Sequence, residues 1–236
     1  AKPTPAEPTT SQSEAGKLTA TVKAPGPSDA AKAAAEETKA VADTAADSTE
    51  GSAEVRLLLG QARTAMAGKD FAAAKEHLTA ATAKEPDNLS VLMNLGTVLY
   101  QLNQLDEAQD ALRKVAAALP NQAQARSLLG IIALRRGKID DAYNDLTRAV
   151  AIEPRNAEAH NYLGIVMNAK GWATAAEQEV RRALELNPTY ADAHFNLAAL
   201  YARQKTPRLE LARYHYQKAL DLGAAHDAQL DALLKK

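Results

Sequence analysis

Residues 92–100 read LMNLGTVLY. Leu92, Leu95, Val98 and Leu99 keep helical spacing, yet Gly96 stands among them, where glycine costs about 1 kcal/mol relative to alanine. The residue recurs: Gly96, Gly130 and Gly164 lie 34 residues apart. Pro86, Pro120, Pro154 and Pro188 keep the same interval, as do Ala74, Ala108, Ala142 and Ala176, and Leu78, Leu112, Leu146 and Val180. Four series with one period mark a repeated chain. A period of this length belongs to a helical solenoid, whose units bury their apolar faces only against one another.

Composition agrees. Hydrophobic residues make up 46% of the 236 residues but aromatics only 4%, so the apolar content is mostly the helix formers Ala and Leu. The expected class is all-α. No cysteine is present, which excludes disulfides, thiolate metal sites and a cysteine nucleophile. The net charge of −1 comes without a basic stripe, which argues against nucleic acid as a partner. No apolar run approaches the roughly 20 residues that span a bilayer.

Texture divides the chain. Residues 1–51 are rich in Ala, Pro, Thr, Ser, Glu and Lys, with few large apolar groups. Such a segment cannot offset its chain entropy by burial, so it reads as a flexible tether with a marginal helix over 28–47. The chain opens on Ala1 rather than Met. We read this as a trimmed start or as the loss of a signal or membrane-anchoring segment. Together with the absence of cysteine it suggests a bacterial cell envelope or periplasm, with the cytoplasm as the alternative.

From residue 52 to 225 the chain resembles the tetratricopeptide repeat, a 34-residue helix–turn–helix unit. The family pattern has bulky residues at positions 4 and 11 and Leu-Gly at 7 and 8. Ala follows at 20, an aromatic or Leu at 24, Ala at 27 and Pro at 32. Repeat two, 89–122, matches with Leu92, Leu95-Gly96, Leu99, Ala108, Leu112, Val115 and Pro120. Repeat three, 123–156, matches with Leu129-Gly130, Ala142, Leu146, Ala149 and Pro154 and departs at Arg126, and repeat four, 157–190, matches with His160 at position 4. Repeat one, 55–88, replaces the glycine by Ala62. Repeat five, 191–225, carries Ala198 there and two extra residues in its turn, RQKTPR. The resemblance implies a right-handed superhelical solenoid of five helix pairs. Residues 226–236, with Leu230, Leu233 and Leu234 on one face, would form a capping helix. It also gives Gly96 a cause: position 8 is expected to face the alanine at position 20, where both must be small. Thr206 is expected to cap the last B helix ahead of Pro207, and Gly223 to end it.

Family resemblance places one face of each A helix on the concave surface, where peptides or helices bind. That face would present Arg63 from repeat one and Met93, Asn94, Thr97, Tyr100 and Gln101 from repeat two. Repeat three adds Leu128, Ile131, Leu134 and Arg135, repeat four Asn161, Tyr162, Ile165 and Asn168, and repeat five Phe195 and Arg203. Its apolar members are expected to form an exposed patch, a mark of binding surfaces. The carboxylate clamp of chaperone-binding repeats would fall on Leu59, Arg63, Asn94, Gln124 and Leu128, of which only Asn94 fits. An asparagine ladder like that of glycan-transferring relatives would need asparagine where Leu128 and Tyr162 stand.

No catalytic constellation, phosphate loop or metal set emerges. His160 and His194 share position 4, but packed helix histidines are the plainer reading. Trp172, the sole tryptophan, falls in the turn of repeat four and is expected to pack on repeat five. The chain therefore reads as a non-enzymatic scaffold that takes a protein or peptide partner in its groove, with no cofactor, metal or small-molecule substrate. The alternatives are a self-associating solenoid, hence a homo-oligomer, or an adaptor held inactive by residues 28–47 in the groove.

Overall fold

The computed structural model describes residues 51–235. The expected tether up to Glu50, the helix over 28–47 and its place in the groove lie outside these residues. Among the described residues all regular structure is helical. α1 (Ala53–Ala67) pairs with α2 (Phe71–Lys84), α3 (Leu89–Gln101) with α4 (Leu105–Ala118), and α5 (Ala123–Arg135) with α6 (Ile139–Ile152). α7 (Ala157–Ala169) and α8 (Ala173–Leu186) follow, then α9 (Ala191–Arg203) and α10 (Leu209–Asp221), and α11 (Ala228–Leu234) closes the array. Each first helix packs on its own second helix and on the second helix of the preceding unit, as a right-handed solenoid requires.

Two turn chemistries repeat. Between the helices of a pair, one residue takes a left-handed φ: Lys69, Asn103, Gly137 and Gly171, each 34 residues from the last. The next residue donates its N–H back to the carbonyl of position 11, as Asp70 to Ala65 at 2.9 Å and Gln104 to Leu99 at 2.8 Å. This closes the helix end whose carbonyls would otherwise be orphaned. Between pairs, the residue before each proline is forced extended, as at Glu85 (φ −133°, ψ 83°) and Asn187 (φ −137°, ψ 91°). Asn88 and Asn156 then cap the next helix through their side chains.

Repeat five breaks the first rule. Its connection runs from 204 to 208, and the N–H of Arg208 reaches the Tyr201 carbonyl at 3.1 Å. Thr206 does not cap α10; Arg208 holds that position, without a side-chain cap bond, because the two extra residues lengthen the loop past Thr206. Gly223, at φ +92°, lies just beyond the end of α10. Asp227 caps α11, which buries Leu230 and Leu234 against the last pair.

The close approach inside each pair differs from the expected one. A methyl group on Gly96 would lie 2.6 Å from Leu112 Cγ, on Gly130 2.6 Å from Leu146 Cγ, and on Gly164 2.5 Å from Val180 Cγ2. The glycine therefore makes room for the branched side chain at position 24. The position-20 alanines meet it through their backbone carbonyls, 3.5 Å at Ala108 and 3.0 Å at Ala176. The correction is geometric: the helices cross over position 24, and the small position-20 residue lets the backbone itself come near. Gly164→Ala is expected to lower stability by about 1–3 kcal/mol through overpacking, although alanine is the better helix former. Gly60→Ala, on an α1 surface with nothing within 4 Å, should raise it by up to about 1 kcal/mol. Chemical denaturation of both variants checks the pair; equal effects would contradict this crossing.

Candidate functional site

The inner face is built by α1, α3, α5, α7 and α9. Of the residues placed there from sequence, Arg63 is exposed, and Asn94, Leu128, Arg135, Asn168 and Arg203 are half-buried. Met93, Thr97, Tyr100, Gln101, Ile131, Leu134, Asn161, Tyr162, Ile165 and Phe195 are buried. The expected exposed apolar patch is therefore absent. Met93, Tyr100, Ile131, Leu134, Tyr162 and Ile165 belong to one cluster that runs across repeats two to four. Successive first helices touch along it, so the inner apolar side chains pack on one another.

What the packing leaves without partners is polar. Tyr100 Oη, Gln101 Oε1, Ser127 Oγ, Tyr162 Oη and Asn196 Oδ1 are buried and make no hydrogen bond. All five belong to first helices. The Tyr100 and Tyr162 hydroxyls lie near one another without meeting hydrogen-bond geometry. Burial pushes the Tyr100 phenol up, and the Arg135 guanidinium, 4.6 Å above its ring, opposes the shift. Burial, then the neighbouring Tyr100 and Tyr190 phenols and the Glu158 and Asp192 carboxylates, hold Tyr162 well above the usual range.

Asparagines connect repeats four and five. Asn196 Nδ2 donates to Asn161 Oδ1 at 3.0 Å, and Asn161 Nδ2 points at Tyr190 Oη at 3.5 Å. Asn94 and Thr97 turn back onto their own helix, donating to the Ser90 and Met93 carbonyls. Sequence reasoning missed Tyr190. Its signal was at position 34, where Asn88, Gln122 and Asn156 are helix-capping polar residues and a tyrosine breaks the series.

Positions 4 and 23 join the two helices of a pair by a different chemistry in each repeat. Arg126 Nη1 donates to Asp145 at 2.9 Å. His160 Nδ1 meets Glu179 Oε2 at 2.6 Å while its Nε2 meets the Pro154 carbonyl at 3.1 Å. His194 Nε2 meets the Pro188 carbonyl at 3.1 Å, and its Nδ1 lies 2.9 Å from His215 Nδ1. A carbonyl can only accept, so neutral His194 carries its proton on Nε2 and His215 donates to its Nδ1. Both ring nitrogens of His160 and of His194 are thus engaged, Nδ1 with the second helix of its own repeat and Nε2 with the proline carbonyl that ends the preceding repeat. No group of three potential metal ligands occurs among the described residues.

These pairs titrate in opposite senses. The Glu179 hydrogen bond raises His160 above the ordinary imidazole value of 6.5. Burial lowers His194, and burial, His194 and Arg181 lower His215 to about 4. His160 thus adds stability below 6.5 that fades as pH rises through its folded value. His194 and His215 add stability that is present above 6.5 and is lost as pH falls below it, for His215 toward about 4. Histidine titration by NMR should place His160 above 6.5 and His215 near 4, and His215→Gln should flatten the acid-side loss of stability. An ordinary His215 titration would contradict the pairing.

Trp172 is 45% exposed and does not pack on repeat five. It stands edge-on to Tyr143 of repeat three, ring centroids 5.2 Å apart, with the Lys170 ammonium 5.0 Å above the indole. The turn that carries it faces back along the array, where Lys170 pairs with Asp140. Its fluorescence should be long-wavelength and readily quenched by acrylamide; a blue-shifted, protected emission would contradict this placement.

The helix pairs, their turns and their inner face define a class, the helical-repeat scaffolds, and comparison with known proteins gives the family. Tetratricopeptide repeat models match residues 65–132, 127–191 and 180–221. The chain belongs to the tetratricopeptide repeat family. No curated protein matches it. Among solved structures it is similar to MamA (residues 41 to the end) from Desulfovibrio magneticus RS-1, with a TM-score of 0.63 and 20% identity over 75% of this chain and 99% of that one. It is also similar to TTC0263, a thermophilic repeat protein of this family from Thermus thermophilus, with a TM-score of 0.59 and 24% identity over 77% and 97%. At such identities the likeness shows the fold. The chain is a protein-binding repeat scaffold.

Proposed function

We propose that the scaffold binds a segment of a partner protein along its inner face, through hydrogen bonds to the polar row left among packed apolar side chains. The observation that carries this reading is that five of the eight buried, unpartnered side-chain polar atoms among the described residues belong to Tyr100, Gln101, Ser127, Tyr162 and Asn196 of the first helices. A buried polar group without a partner costs about 1–3 kcal/mol, so a ligand that supplies hydrogen bonds recovers that cost. Depth supports the same reading. Because the apolar residues are already packed, the groove suits a backbone or slender side chains better than bulky apolar anchors. Exposed Arg63 and half-buried Asn94, Leu128, Arg135, Asn168 and Arg203 form the accessible part of the surface.

A photocrosslinker at Leu128 or Asn168 is expected to give one discrete adduct whose crosslinked peptide maps to a single partner segment. The same group at Arg148, exposed on α6, should give none. Equal labelling from Leu128 and Arg148 would overturn the assignment of the inner face.

A further inference from the structure

Between α4 and α6, with α5 at its base, lies a cleft of about 320 Å³ that opens to solvent. Two residues account for it. Where one repeat meets the next, position 28 of the first and position 11 of the second carry Thr82 with Leu99, Val150 with Met167, and Leu184 with Tyr201. At the junction of repeats two and three both are alanine, Ala116 and Ala133, and both line the cleft. Close packing leaves few spaces larger than a water molecule, so two short side chains at one junction leave room that the other junctions fill. With buried Leu129 they give the cleft an apolar base.

The polar lining is sorted by sign. α4 contributes donors: the Arg113 guanidinium, and the Gln109 amide, whose oxygen accepts from Arg136 and whose N–H groups are left to donate. α6 contributes acceptors, the Asp141 and Asp145 carboxylates, with the Asn144 amide beside them. Arg113, Asp141 and Asn144 are exposed and have no partner among the described residues. Arg126 of α5 stands between the two walls. Its Nη1 donates to Asp145 and its Nη2 to the Ala116 carbonyl, while its buried Nε–H makes no hydrogen bond. A buried donor left unpaired is costly, and an acceptor brought into the cleft relieves that cost.

A simple anion would meet the two carboxylates here, and a simple cation the two guanidiniums. We propose that the cleft binds a small zwitterion, a free amino acid or a dipeptide, with its carboxylate toward Arg113 and the Arg126 Nε–H and its ammonium toward Asp141 and Asp145. Such charge-assisted hydrogen bonds are among the strong ones. The volume of the cleft, about 320 Å³, falls at the small end of ligand sites, and its base of Ala116, Leu129 and Ala133 suits an aliphatic side chain. This site is separate from the inner face. It uses Arg126, Leu129 and Ala133 of α5, whereas the inner face uses Leu128, Ile131 and Leu134 of the same helix.

The test is titration calorimetry of the full chain against aliphatic amino acids and their dipeptides, with the C-terminal amide and the N-acetyl form of each as controls. At least one of the two classes is expected to bind, and the tighter class identifies the source of the zwitterion. Both blocked forms should bind at least about tenfold more weakly. Arg113→Gln and Asp141→Asn, changes at the exposed rim, should each weaken the intact ligand to a similar degree, and Arg113→Gln should not weaken the amide form further. Ala133→Leu, which gives repeat three the residue that Leu99 supplies in repeat two, should abolish binding while thermal unfolding stays near its original midpoint. No binding by either class, blocked forms that bind as well as free ones, or undiminished binding by the rim variants or by Ala133→Leu would each overturn the site. Any of these results would leave the inner-face reading standing, since crosslinking from Leu128 and Asn168 decides that one.

Discussion

Everything in this molecule depends on how closely two helices of a pair can approach. At Gly96, Gly130 and Gly164 the first helix presents bare backbone, and the branched side chain of position 24 fills the space a methyl group would occupy. That contact fixes the crossing inside the hairpin. The hairpin then offers its two remaining apolar surfaces to the units before and after it, and a linear array follows, because no single pair can cover those surfaces alone. Repeat one uses Ala62 and repeat five Ala198 at the glycine position, both buried.

The inner surface follows from the same packing. Apolar groups that could have served as adhesive area are consumed in contacts between repeats, and the atoms left over are hydroxyl and amide oxygens. On the proposed function, recognition there would depend on satisfying particular hydrogen bonds, which favours selectivity over bulk affinity, since a segment of the wrong pattern leaves buried polar groups unpaired. On the outside, pairs such as Arg136 with Asp106 and Lys170 with Asp140 run between repeats at the turn edge. Their carboxylates are solvent-exposed and the pairs contribute little energy, but they keep successive turns in register.

Much of the architecture was legible in the sequence because a repeat's core is a local matter. The period exposed the pairs, the two-residue insertion of repeat five and the closing helix without reference to anything distant. The misses share one physical origin, which is that they concern relations the period does not encode. The glycine's true neighbour depends on the crossing angle within a pair. The burial of Met93, Ile131 and Tyr162 depends on how three repeats curve together, and no one repeat shows it. Trp172 turned toward Tyr143 because the turn edge faces the preceding unit. Thr206 lost its capping place once the longer loop was free to take another path. Tyr190 shows in the sequence only as the exception among the capping residues of position 34.

A chain made of near-copies runs a risk during folding, since the first helix of one unit can join the second helix of another. The residues at positions 4 and 23 act as labels against that error. Leu92 stands opposite Ala111, Arg126 pairs with Asp145 and His194 with His215. An exchange between repeats two and three would bury a guanidinium against Ala111 and strand Asp145 beside leucine, at a cost of several kcal/mol. The hairpins look alike to their neighbours on either side, yet positions 4 and 23 keep repeat two from closing upon repeat three.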